Sequence, residues 1–138
     1  MSIEIDWQYT GGSDENIEFS RVLYAYLHPN TSEILYIGKA DHCTVRERLF
    51  GTHKEAIFDE MMNDLRITVL HAIVGVPCMP EGRRYSSELL ADIESLLIIE
   101  LQPTYNTQSR KSRISRPGMV VRCMGDWPHE RDRFIDND

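Results

Sequence analysis

The chain reads Val22-Leu23-Tyr24-Ala25-Tyr26-Leu27, then His28-Pro29-Asn30-Thr31-Ser32-Glu33, then Ile34-Leu35-Tyr36-Ile37-Gly38. Two short runs rich in β-branched and aromatic residues flank a segment of turn formers, a pattern that predicts an antiparallel hairpin. Side chains alternate along a strand, so Val22, Tyr24 and Tyr26 share one face and Leu23, Ala25 and Leu27 the other. Tyr24 and Tyr36 can then meet on one surface of the pair. Taken alone, both are ordinary strand aromatics.

The whole composition bounds what this hairpin can belong to. A chain of 138 residues suits one domain large enough to bury a core without covalent staples. A net charge of −7 and a pI near 5.2 argue against a generally basic nucleic-acid coat, so any nucleic-acid contact has to come from a local patch. Cys43, Cys78 and Cys123 are odd in number and lack CxxC spacing, which predicts free thiols in a reducing, cytoplasmic setting. Met1 to Asp6 has neither a basic nor an apolar leader region, and no apolar run approaches the ~20 residues that span a bilayer, so no membrane partner is expected.

Outward from the hairpin, residues 1–20 carry an alternating piece, Ile3, Ile5 and Trp7, before an acidic, glycine-containing run. They read as an N-terminal arm or edge strand. After Gly38, Thr44 is placed to cap a helix starting at Val45, Gly51-Thr52 interrupts it, and a second helical run follows from about His53 to Leu65. Ile67 to Val74 has the β-branched enrichment of a buried third strand. Pro77, Pro80 and Gly82 mark a loop, and Ser86 or Ser87 caps the longest helix, which Pro103 closes. On that helix Leu89, Leu90, Ile93, Leu96, Leu97, Ile98 and Leu101 form a broad apolar arc with two acids inside it, Glu94 and Glu100. A carboxylate on a buried face needs a partner, because desolvating it alone costs several kcal/mol. From Thr107 to Arg122 the chain carries Arg110, Lys111, Arg113, Arg116 and Arg122 and no acid; from Gly125 onward it turns acidic. Met119-Val120-Val121 adds at most one short strand. His71, Cys78, Cys123 and His129 lack the paired short intervals of a zinc site.

The order of these features resembles the GIY-YIG nuclease family: Tyr24 in the first strand, Tyr36-Ile37-Gly38 in the second, an arginine on the next helix, a glutamate on a later one and Pro103-Thr104-Tyr105-Asn106 after it. The resemblance covers about Val22 to Asn106. It implies an α/β (α+β) fold in which a small three-stranded antiparallel sheet is flanked by helices. The corresponding domain is 21–106, with residues 1–20 ahead of it and 107–138 as a basic then acidic extension. Val22 departs from the family pattern, standing where the first glycine would be.

The resemblance further implies a metal-dependent endonuclease that hydrolyses phosphodiester bonds. Glu94 would hold one divalent cation, Mg2+ or Mn2+, a hard ion that accepts one carboxylate plus waters and substrate oxygens. Tyr24 would act on the attacking water and Tyr36 would orient water or phosphate. An arginine would offset the charge that builds up during attack. Arg46 and Arg48 both remain open for this role; the run Thr44-Val45-Arg46-Glu47-Arg48-Leu49 favours Arg48, with His53 as the family's histidine and Arg46 at the surface or on a phosphate. Gly38 and Asn106 would support the site, and Lys39 is a further phosphate contact. The basic residues Arg110, Lys111, Arg113 and Arg116 would guide a nucleic-acid backbone, DNA rather than RNA. The rival reading is the same fold with weak or lost catalysis, binding nucleic acid or a protein partner. A homodimer or larger complex is left open.

Overall fold

The computed structural model describes residues 2–11, 14–50, 56–79, 86–106 and 118–136. In chain order it contains β1 (Ser2–Tyr9), a 3-10 turn (Glu15–Glu18), β2 (Val22–Leu27), β3 (Ile34–Ala40), α1 (Val45–Phe50), α2 (Ala56–Leu65), β4 (His71–Cys78), α3 (Ser87–Leu101), β5 (Val120–Gly125) and β6 (Arg133–Ile135). The strands form one six-stranded sheet in the order β3-β2-β4-β1-β5-β6. Neighbours are antiparallel except β1 and β5, which run parallel with Ser2 opposite Val120 and Trp7 opposite Gly125.

This overturns the small three-stranded antiparallel sheet expected from the sequence. The sheet is twice that size and mixed, with β2, β3 and β4 as its antiparallel half. β1 is an interior strand between β4 and β5, not an arm or an edge, and two strands follow residue 107 instead of one. The physical reason is that alternation marks a strand with one buried face, as at Ile3, Ile5 and Trp7. Pairing itself is made by peptide groups common to all residues, so alternation does not say which strands lie on either side. The third strand also begins four residues later than expected and continues through Pro77. β2 accompanies it only as far as Gly75, so Pro77 has one side without a partner strand, where a missing N–H is tolerated.

Helices cover the two faces of the sheet unequally. On one face Ile3, Ile5, Trp7, Leu23, Ala25, Leu27, Ile73, Val121, Cys123 and Phe134 pack with Leu89, Leu90, Ile93, Leu96 and Leu97 of α3. Burial there pushes the Cys123 thiol up to about 12, offset in part by the Trp7 indole N–H, so it stays a protonated apolar filler. On the other face Val22, Tyr24, Tyr26, Ala40 and Val74 pack with Ile17, Val45, Leu49 and Met61 from the 3-10 turn, α1 and α2. Residues before 21 and after 118 are thus built into the same sheet as the hairpin.

α3 sets the register between the faces. Its N-cap Ser86 accepts the Leu89 N–H at 3.1 Å, and Gln102 ends it in the left-handed region at φ 49°. Ser86→Ala is expected to lower stability by about 1 kcal/mol, read as a shifted urea midpoint with an unchanged slope. Near its other end Glu100, one of the two acids in the apolar arc, takes the Arg131 guanidinium at 2.8 Å; that guanidinium also lies 4.7 Å over the Phe134 ring. The pair pins the β5–β6 connection to the helix.

Candidate active site

Tyr24 stands opposite Gly38 across β2 and β3, and Tyr26 stands opposite Tyr36. Cross-strand partners share a face, so the three phenols gather on the side covered by α1 and α2. Their rings form a triangle with centroid separations of 5.8 Å (Tyr24–Tyr26), 6.0 Å (Tyr26–Tyr36) and 6.3 Å (Tyr24–Tyr36), and Phe58 backs Tyr26 at 5.7 Å. Tyr24 is 1% exposed and Tyr36 half-buried.

Gly38 is required by this packing. A Cβ there would lie 2.5 Å from Cζ and 2.6 Å from Oη of Tyr24, so the hydroxyl end of that ring lies across the glycine. Gly38→Ala is expected to push the ring aside and lower stability by about 1–3 kcal/mol. An altered near-UV tyrosine circular dichroism signal would accompany the lowered melting temperature, and an unchanged spectrum would show that the ring has room.

Lys39, next along β3, points to the opposite face, opposite Leu23 and toward α3. Glu94, half-buried on α3, lies within its field. Burial raises the Glu94 carboxyl above its ordinary pKa, and Lys39 and then Arg48 pull it back. Arg48 comes from α1, the helix on the phenol side. β3 is the outermost strand, so the phenol group lies on one of its faces and the Glu94–Lys39 group on the other, and Arg48 contributes to the field at Glu94.

Local structure fixes the members of this group. Thr44 and Glu47 form a reciprocal cap at the start of α1, Glu47 N–H to Thr44 Oγ1 at 3.2 Å and Thr44 N–H to Glu47 Oε1 at 3.2 Å, which sets where Arg48 emerges. Arg46, two residues earlier, is exposed and ion-paired with Glu18. Ser87 Oγ donates to Asp41 Oδ1 at 3.2 Å, tying the end of β3 to the first turn of α3, two turns before Glu94. Asn106, buried, brackets Ile37: its Oδ1 accepts the Ile37 N–H and its Nδ2 donates to the Ile37 carbonyl, each at 2.8 Å, while Tyr105 N–H reaches Leu35 O at 3.1 Å. This segment therefore closes the open edge of β3 beside the site.

Tyr24, Tyr36 and Gly38 thus gather on the α1–α2 face of β2 and β3, Glu94 on α3 lies in the field of Lys39 and Arg48, Asn106 holds β3, and Arg46 pairs with Glu18 at the surface. His53, Arg110, Lys111, Arg113 and Arg116 lie outside the described residues. Two contributors escaped the sequence reading. Tyr26 packs against both other phenols, and its placement on their face was the one signal available; Asp41 anchors α3 through Ser87, with no signal in its spacing. Among the described residues no group of three or more His, Cys, Asp or Glu could form a metal cage. A hard cation fits Glu94 only as a shared ion, with substrate oxygens and water completing its shell.

No family model, curated protein or solved structure matches the chain. Among the described residues no helix is long and apolar enough to cross a membrane.

Proposed function

We propose that this chain is a GIY-YIG-type endonuclease that hydrolyses phosphodiester bonds in DNA with the help of one Mg2+ or Mn2+. The reading is supported most by Glu94, a half-buried carboxylate in the field of Lys39 and Arg48, with the Tyr24–Tyr36 pair on the other face of the same sheet. A structural ion pair would need one cation; a carboxylate with Lys39 and Arg48 nearby can accept a dianionic centre at its side.

The bound cation would polarise the scissile phosphate and stabilise the leaving oxygen. Arg48 would donate to a non-bridging oxygen and Lys39 would add a second positive charge where charge accumulates. The Tyr24 hydroxyl, fixed over Gly38, would accept a hydrogen bond from the attacking water and aim it at phosphorus. Tyr36, nearer solvent, would orient that water or the phosphate. Attack forms the new P–O bond as the bond to the leaving sugar oxygen breaks; the attacking water releases its proton to solvent and the leaving oxygen takes one up from solvent. The basic run from Arg110 to Arg122 would supply backbone attraction that the acidic body lacks.

The test is incubation of the pure chain with supercoiled plasmid, single-stranded DNA, branched DNA and RNA, in Mg2+, Mn2+ or chelator. Metal-dependent nicking is expected, falling about a hundredfold in Tyr24→Phe and in Arg48→Ala. Nicking that survives chelator, or that all variants retain, would reject this mechanism. Binding of nucleic acid without cleavage would instead support the inactive-module reading.

A further inference from the structure

The far end of the β2–β3 hairpin, at the opposite end of β3 from Gly38, has features the nuclease reading does not use. Its tip is held rigidly: His28 N–H donates to Glu33 O at 2.9 Å, Ser32 N–H to His28 O at 2.9 Å, Asn30 N–H to His28 Nδ1 at 3.1 Å and Glu33 N–H to Thr31 Oγ1 at 3.2 Å. Ser32 sits in the left-handed region at φ 62°. On either side of this serine is a cavity.

The first, about 460 Å³, lies between the tip, the C-terminal end of α3 and the β5–β6 connection, with Glu33, Glu130, His129 and Thr104 in its wall. No lysine or arginine is among the described residues lining it. The carbonyl end of a helix adds further negative potential. The neighbouring Arg131 is committed to Glu100 and the Phe134 ring.

The second, about 430 Å³, lies between the tip, the end of β1 and the start of β4, and is walled by Tyr9, Pro29, Leu70, His71 and Ala72. Tyr9 is 47% exposed; His71, its neighbour in space, is also exposed and meets it edge to face at 6.3 Å, and Val69 beside Leu70 is 53% exposed. Two carboxylates flank this apolar wall: Asp126 accepts the Tyr9 N–H at 3.0 Å and Asp14 the Gly11 N–H at 2.7 Å. Both volumes fall within the range of small ligand pockets, roughly 300–1,000 Å³.

We propose that this hairpin tip is a docking surface for a protein segment that carries a basic side chain close to an aromatic or aliphatic one. The basic group enters the carboxylate-walled cavity and the apolar group lies against Tyr9, Leu70 and His71, with Ser32 between them. Exposed aromatics in a concave setting are the anchor points that interfaces use most. The charge selects the class of partner: carboxylates at Glu33, Glu130, Asp14 and Asp126 repel a phosphate backbone and attract a cationic peptide. The surface is independent of the cleavage chemistry and of the substrate strand.

The experiment is a titration of the isotopically labelled full chain with the peptide acetyl-Arg-Trp-Arg-Leu-amide, in chelator and without nucleic acid, followed by amide chemical shifts. Shift changes are expected at Tyr9, Ser32, Glu33, His71 and His129 and not at Gly38 or Lys39. The dissociation constant should rise about tenfold in Tyr9→Ala and in the Glu33→Lys/Glu130→Lys pair, all of them exposed positions whose replacement leaves the melting temperature in place. The same peptide with Glu in place of both Arg residues should not bind. Absence of shifts, binding indifferent to both variants, or a single-stranded oligonucleotide that perturbs these residues more strongly than the peptide would overturn the proposal. The peptide titration contains neither metal nor nucleic acid and the oligonucleotide is added only in a separate arm without metal, so failure of the peptide to bind leaves the nuclease reading untouched, and the reverse holds.

Discussion

Glu94→Gln is expected to lower metal-dependent nicking at least about a thousandfold and at the same time to raise the melting temperature at neutral pH. The first effect follows from losing the one carboxylate in the group that can share a hard cation with phosphate. The second follows from burial. The folded state holds the Glu94 pKa above its ordinary value of 4.5, desolvation outweighing the pull of Lys39 and Arg48. A group whose folded-state pKa is raised contributes stability that is fully present below its unfolded pKa and is lost as pH rises through the folded value. At neutral pH the ionised side chain is therefore a net burden on the fold, and a neutral isostere relieves it. Thermal melts of both proteins should differ most near pH 7 and converge as the pH falls below the ordinary glutamate range. A glutamine variant that melts lower at pH 7 would mean that Glu94 is a favourable ion-pair partner of Lys39 and Arg48, and would count against a site kept at the expense of stability.

Asn106→Ala should lower unfolding stability by about 3 kcal/mol, because it removes two buried hydrogen bonds and leaves the Ile37 N–H and carbonyl facing an apolar void. Urea denaturation gives the number directly. The variant should also lose cleavage out of proportion to its unfolded fraction at working temperature, since Ile37 lies between Tyr36 and Gly38 and a frayed β3 edge displaces both. Asn106→Asp keeps an acceptor for Ile37 N–H but sets a buried carboxylate against the Ile37 carbonyl, so at neutral pH a loss at least as large as alanine's is expected, easing as the pH falls and the acid is protonated. A fully stable alanine variant would show that the edge closes without this side chain.

What the sequence revealed were local features. The Thr44–Glu47 cap, the start of α3 at Ser86, its end before Pro103 and the shared face of Tyr24 and Tyr26 depend on residues within a few positions of one another, where spacing carries the information. The residues that sequence order picked out lie on β2, β3, α1 and α3, and of the two arginines Arg46 is engaged by Glu18 while Arg48 acts on the field at Glu94. Pairing was not legible. Nothing in Ile3-Glu4-Ile5-Asp6-Trp7 states that β4 lies on one side and β5 on the other, and the parallel partner comes from the opposite end of the chain. The shift of β4 to His71–Cys78 has the same origin, since Pro77 reads as a breaker until the limited reach of β2 is known. Tyr26 was visible as a strand aromatic, but its contact with both other phenols depends on register.

The parallel join between β1 and β5 also bears on how the polypeptide is made. As the protein leaves the ribosome, its strand β1 can find β4 once residues 71–78 have emerged, but its other flank stays bare until residues 120–125 are synthesised. For that interval a strand with Ile3, Ile5 and Trp7 on one side offers unsatisfied peptide groups to any neighbouring nascent copy. Glu4 and Asp6, exposed on the other side of this strand, put like charges on it that disfavour pairing between identical chains.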